Sequence, residues 1–255
     1  MIRTLIIIAV ASFVLAVVCF SGAAAIGGRE LFEKGWTFSP AFLQQLDENG
    51  DVSVQIGRDS RHGPDVTQTI AWAGGPELQI DVPAEVSYTQ GAVASVTVSG
   101  PKALVDRVIL EGGRLRFKDS ETTGGLHMRY MREGLRVTIV APAVKRFVVN
   151  GSGDLTIADY DQPDLAIEVN GSGEVEVAGV TQNLSLAIAG SGEARLADLK
   201  TRDASIAVAG SGEAEVSASG AAQVSIAGSG DVTLTTKPAS LSSNIDGSGD
   251  LHLPQ

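Results

Sequence analysis

The sequence predicts an all-β chain wound into a parallel β-helix, a β-solenoid with coils of about 19 residues, preceded by one N-terminal signal or transmembrane helix. Three observations predict it. The word Gly-Ser-Gly followed by Asp or Glu begins at Gly151, Gly171, Gly190, Gly210, Gly228 and Gly247, at steps of 20, 19, 20, 18 and 19 residues. On both sides of each word apolar residues recur at every second position, the period of a strand with one buried face. The chain also holds 30 glycines and only 5% aromatic residues, a composition suited to close backbone approach rather than to packing of large side chains.

Residues 1–26 form the first element. Arg3 opens it, an apolar run from Leu5 to Phe20 is broken only by Ser12, and small residues follow from Ser21 to Ala25. The run is either a secretory signal cleaved after Ala23-Ala24-Ala25 or an uncleaved anchor, because Leu5 to Ile26 is long enough to span a bilayer. Both readings place the rest of the chain outside the cytoplasm, in the periplasm or cell envelope, and the second adds the membrane as a partner. Cys19 is the single cysteine and lies in this run, so the folded part has no intramolecular disulfide.

Residues 27–50 read as a linker with a short helix at most. Asp47, Asn49 and Asp51 have the spacing of a calcium-loop start, but Arg58 stands where such a loop needs Glu, so a turn is the reading. From 51 to 150 short alternating strands begin the solenoid, among them "ELQIDV", "EVSYT", "AVASVTV", "RLRF", "LRVTIV" and "RFVVN", punctuated by Gly and Pro.

Residues 151–255 are the repeats. After each word the inward columns are Leu155, Val175, Ala194, Ala214, Val232, Leu251 and Ile157, Val177, Leu196, Val216, Leu234, Leu253. Before each word they are Val149, Val169, Ile188, Val208, Ile226, Ile245 and Phe147, Ile167, Leu186, Ile206, Val224, Ser243. One such unit cannot bury its apolar face alone, whereas stacked copies share a continuous core. The period is too short for a propeller blade and lacks the leucine-rich-repeat pattern. The paired glycines, Gly151 and Gly153, Gly171 and Gly173, Gly190 and Gly192, Gly210 and Gly212, Gly228 and Gly230, Gly247 and Gly249, are therefore expected at structural corners, with the serines between them free to bond from coil to coil.

Charge separates the two halves of the folded region. The chain carries 19 Lys and Arg against 30 Asp and Glu, and its whole net charge of −11 falls within the repeats. Such a surface repels phosphate, which excludes nucleic acid as a partner of this region. Alternation turns Asp154, Glu174, Glu193, Glu213, Asp231 and Asp250 outward in one acidic ladder. Rungs ~4.8 Å apart repel by roughly 1 kcal/mol per pair in water. Two explanations stand: a charged stripe that keeps sheets from pairing face to face, or a ladder for divalent cations such as calcium. On the other outward face, Ser185, Ala187, Ser205, Ala207, Gln223 and Ser225 are small and uncharged, which suits self-association or adhesion. The last strand, Asp250 to Leu253, is expected to leave an open edge.

No catalytic constellation is visible. Tyr160 is the one aromatic residue of the repeats and His252 their one histidine; His62 and His127 stand alone. Carbohydrate-cleaving β-helices need an aromatic platform and a converging acid/base pair, so a polysaccharide-active β-helix, here degenerate, is only the third reading.

The segments "VSYTQGAVASVTVSGP", "VILEGGRLRF" and "LRVTIVAPAVKRFVVNGSGDLTI", with the serial GSG[D/E] words, resemble the bacterial "putative auto-transporter adhesin" head domain, also called the head GIN domain, a family of domains of unknown function. The resemblance implies a β-helix-like fold on an exported or membrane-tethered envelope protein. It brings no catalytic, cofactor or binding residues, and nothing here resembles a translocating β-barrel. The expected function is thus non-enzymatic: presenting surfaces for adhesion or protein–protein interaction, with a cation-responsive module as the alternative.

Overall fold

The structure, a computed structural model, describes residues 65–118 and 134–254. The apolar segment 1–26, the linker 27–50, the Asp47 turn, His62 and His127 lie outside the described residues.

The repeats wind as their periodicity predicts. Strand β8 (Arg146–Gly151) reaches the first corner, β9 (Asp154–Asp161) leaves it, and β10 (Asp164–Gly171) returns to the next corner. Two long strands, β11 (Glu174–Gly190) and β12 (Glu193–Gly210), run through a whole coil each. Shorter pieces follow: β13 (Glu213–Ala218), β14 (Ala221–Gly228), β15 (Asp231–Leu234), β16 (Ser240–Gly247) and β17 (Leu251–His252). All pairings between coils here are parallel, and the approach strands are in register, so Gly171 faces Gly190, Gly190 faces Gly210, and Gly210 faces Gly228. The approach strands form one sheet face and the departure strands a second.

Register explains the core. Phe147, Ile167, Leu186, Ile206 and Val224 stack as one buried column, and Val175, Ala194, Ala214 and Val232 as another. At its N-terminal end the core includes an edge-to-face pair of Tyr88 and Phe147, ring centroids 5.0 Å apart, with Tyr160 also edge-to-face with Phe147 at 6.4 Å. A second bend opposes the glycine corner. There the ladder shifts register between Val177 and Gly179, and a Cβ on Gly179 would run into the main chain of Tyr160.

The region before the repeats also belongs to the solenoid, but not in chain order. Strands β2 (Glu77–Ile80) and β3 (Glu85–Gln90) form a coil directly beneath β8 and β9, pairing Leu78 with Phe147 and Val86 with Leu155. The chain then leaves through β4 (Ser95–Pro101), a one-turn helix α1 (Lys102–Val105), and β5 (Val108–Glu111). It returns as β6 (Arg114–Phe117) and β7 (Arg136–Ala141), which pair with the far sides of β2 and β3. The later coil is thus the outer one. Antiparallel β1 (Asp65–Ile70), β4 and β5 close this end, and α1 seats the fully buried Val105 over the core.

Candidate functional site

The glycine corners are a main-chain ladder. The amide of Ser172 donates to the carbonyl of Gly151, Ser191 to Gly171, Ser211 to Gly190, Ser229 to Gly210 and Ser248 to Gly228, each at 2.8 Å. Glu193 and Glu213 continue it, their amides donating to Gly173 and Gly192 at 3.0 Å. From Gly171 onward both glycines of the word are needed because a Cβ at either would meet the coil beneath, and the first also holds a positive φ. Gly190 holds φ at +123°, and a Cβ there would stand 2.5 Å from the Gly171 carbonyl oxygen; a Cβ on Gly212 would stand 2.7 Å from that of Gly192. The expected serine ladder takes another form, because among the described residues no corner serine hydroxyl bonds to the next coil. Their amides do the joining.

The acidic ladder faces outward as expected, and it is partly spoken for. The Asp154 carboxylate accepts the Glu174 amide at 3.4 Å, and Asp231 accepts the Asp250 amide at 2.9 Å, so the shorter acids serve the next coil. Arg195 stands one column over. It pairs with Glu174 and, at 2.7 Å, with Glu193, in register with Glu176 on one side and Glu215 on the other. Glu174, then Glu193 and Glu176, hold its guanidinium above the ordinary arginine range. Sequence reading missed this clamp, although Arg195 is the one cation in that column. Among the described residues no group of three or more His, Cys, Asp or Glu is arranged to hold a metal ion.

Asp81 is a second polar feature that sequence reading passed over. It occupies the corner of the β2–β3 coil, in the column continued by Asn150 and Asn170. Asn150 and Gln79 donate to its carboxylate, Arg114 pairs with it, and the Asn170 amide donates to Asn150 at 3.0 Å. Burial favours the neutral acid, but these donors outweigh it and hold Asp81 below the usual carboxylate range.

Nothing described here assembles catalytic groups. Tyr160, the one aromatic residue of the repeats, is buried, and its hydroxyl donates to the Asp164 carbonyl at 2.8 Å. Burial, with the nearby Tyr88 and Asp164, pushes that phenol well above its ordinary range. It cannot serve as a sugar platform. A shallow hollow of about 220 Å³ is lined by Asn183, Asp203, Ala221 and Gln223, but the Asp203 carboxylate is engaged by the Ala221 amide at 2.8 Å and by Arg202. A wider hollow of about 520 Å³ at Trp72, Gly74, Glu77 and Gly113 offers one carboxylate and no acid/base pair.

The outer face of the approach strands is different in kind. Ser185, Ala187 and Ala189 align with Ser205, Ala207 and Ala209, and these with Gln223, Ser225 and Ala227. All but Ala187 are exposed, and none is charged. The Arg146–Glu168 ion pair bounds the patch on one side and Asp246 on the other. Among the described residues no helix is long and apolar enough to cross a membrane.

A family described as "Putative auto-transporter adhesin, head GIN domain" matches residues 76–238. No curated protein matches the chain by sequence. Among solved structures, a protein of Bacteroides fragilis described as a putative adhesin aligns with a TM-score of 0.57 at 16% identity, over 75% of this chain and 97% of that one. Two proteins of Parabacteroides distasonis align less closely. One is described as a putative adhesin (TM-score 0.49, 17% identity, 75% of this chain and 98% of that one), the other as a putative lipid binding protein (TM-score 0.45, 22% identity, 76% and 98%). At 16% identity the likeness to the Bacteroides fragilis protein establishes the fold alone.

Proposed function

This chain belongs to the "Putative auto-transporter adhesin, head GIN domain" family, and from that premise we propose that it is a non-enzymatic, extracytoplasmic β-solenoid whose work is to present a surface for adhesion or protein–protein interaction. The observation that carries the reading is the uncharged patch of Ser, Ala and Gln on the approach-strand face. Three rungs ~4.8 Å apart, each spanning five residues of strand, make a flat area of roughly 200 Å². Alanine and serine side chains let an opposing surface come close to the backbone at little cost in ordering. An area this small gives weak single contacts, so useful attachment depends on many copies acting together.

The family name, and the description of the Bacteroides fragilis protein as an adhesin, support the same reading. So does the want of any converging acid/base pair among the described residues. The test is attachment of cells displaying the full chain. Placing two arginines in the patch with Ala187→Arg and Ala207→Arg is expected to abolish attachment while the fold, read by circular dichroism, is kept. Undiminished attachment by the folded variant would remove this face from consideration.

A further inference from the structure

We propose that the distal end of the solenoid docks a second copy of this chain, β16 to β16 in antiparallel register about Ser243, to give a closed two-fold dimer. The proposal stands on the end of the stack and does not rest on the adhesive role of the flat face.

The two ends of the solenoid differ. At one, antiparallel β4, β5 and the helix α1 contribute Val96, Val98, Val105, Val108 and Leu110, all of them buried. At the other, β16 pairs among the described residues with β14 alone, and every one of its residues is exposed. Leu241 and Ile245 continue the core columns of Ala222 and Ile226, yet are 38% and 43% exposed, and Leu253 of the same last turn is 51% exposed. Strands that must stay free of partners are ordinarily blunted by Lys or Pro. Ser240–Gly247 contains neither, and its single charge is Asp246.

The strand reads as its own partner. Its core-facing residues are Leu241, Ser243 and Ile245, symmetric about the serine. In an antiparallel pair directly opposed side chains lie on the same side of the sheet. Centring the two-fold axis on Ser243 sets Leu241 opposite the second copy's Ile245, and Ser243 opposite its equivalent. A slip of one residue would bring each core residue opposite an outward one, so that register is excluded.

The backbone demands the same register. The amides of Ser240 and Ser248 donate inward, to the carbonyls of Gly220 and Gly228. Because strand amides alternate in direction, Leu241, Ser243 and Ile245 present theirs to the open edge. These are the residues that the palindrome opposes, and they supply about six main-chain hydrogen bonds across the seam. Ser243 is the one polar side chain in a column otherwise filled by Phe147, Ile167, Leu186, Ile206 and Val224. At a two-fold axis it meets its own hydroxyl. Asp246 lies opposite the second copy's Ser240, so the strongly acidic copies meet without opposing carboxylates. With the other end capped, the contact closes at two copies rather than propagating.

A seam of one strand sits at the small end of specific interfaces, which places the dissociation constant on the order of micromolar. The test uses the intact chain carrying Cys19→Ser, with single cysteines introduced on β16. Opposed Cα atoms of a hydrogen-bonded antiparallel pair lie ~5.5 Å apart, inside the ~4.4–6.8 Å that a disulfide spans. Under mild oxidation Ser243→Cys is expected to give a covalent dimer as its main species. Leu241→Cys alone is expected to stay monomeric, and to cross-link when mixed with Ile245→Cys. Ile245→Lys in the cysteine-free chain is expected to leave a folded monomer at concentrations where the parent sediments as a dimer. A parent that stays monomeric at tens of micromolar, masses that climb beyond two copies, or cross-linking of Leu241→Cys as efficient as that of Ser243→Cys would each overturn the proposal.

Discussion

Replacing Gly190 by alanine tests what the corner word is for. The new Cβ would lie 2.5 Å from the Gly171 carbonyl oxygen, where ordinary contact begins at 3.4 Å. Relief parts the two coils by roughly 1 Å and stretches the 2.8 Å bond from the Ser191 amide past hydrogen-bonding range. Holding an L-residue at this positive φ costs about 1–2 kcal/mol. Leaving the amide and carbonyl unpaired adds about 1–3 kcal/mol, for a total of about 2–5. The molecule supplies two controls. Gly151 also has positive φ, +89°, but its added Cβ would meet nothing within 4 Å, because the coil beneath turns through Val82 and Pro83 instead of through glycine. Gly151→Ala therefore carries only the conformational part, about 1–2 kcal/mol. Ser191→Ala removes a hydroxyl that has no hydrogen-bond partner among the described residues and should fall within about 0.5 kcal/mol of the parent. Urea unfolding of the intact chain, followed by circular dichroism and compared at a common slope, gives the three values. Equal losses for Gly190→Ala and Gly151→Ala, or a large loss for Ser191→Ala, would refute the main-chain account of the corner.

Two further outcomes follow from the charged groups. Asp81 ionises below its ordinary 3.8 in the folded chain, so the stability it lends is whole above that pH and is lost as pH falls through the lower folded-state value. Acid unfolding followed downward from about pH 5 should show a shallower dependence in Asp81→Asn than in the parent, and superimposable curves would contradict the assignment. Arg195→Gln removes the cation from among Glu174, Glu193, Glu176 and Glu215. Its melting temperature should fall at low ionic strength and recover toward the parent at high salt, because added ions screen the exposed carboxylates; a deficit independent of salt would count against repulsion as its cause.

The repeats were legible because two periods coincide. Alternation by two assigns each side chain a face, and the glycine word every 18–20 residues keeps those faces in register, so the columns ending at Ile226 and Leu234 could be written down unaided. The same pattern put Ser243 in its column without marking it as the exception, and marked the strand Asp250 to Leu253 as an open edge. The N-terminal region was legible as strands that begin the solenoid, but not in their stacking order. Its β2–β3 coil turns at Asp81-Val82-Pro83-Ala84, without the word, and its neighbour in space, β6–β7, comes later in the chain. No local pattern marks that exchange, because it is settled by which strand edges remain unpaired. Arg195 and the engaged Asp154 and Asp231 were hidden for a related reason: their partners are one coil away, at distances set by the bends. Gly179 was passed over because its obstruction is the Tyr160 main chain at the second bend, where no repeated word announces it.

From Gly171 onward each joint in the stack is seated on a joint of the same kind, Gly210 on Gly190 and Gly228 on Gly210. Length is consequently a quantised property of this molecule. Excising or duplicating one whole turn of the winding leaves every surviving joint with an equivalent seat and moves the tip by a single increment of ~4.8 Å. Descendants of such a chain can adjust their reach by copying sequence in blocks, as a ruler is extended by graduations, with neither end having to be redesigned.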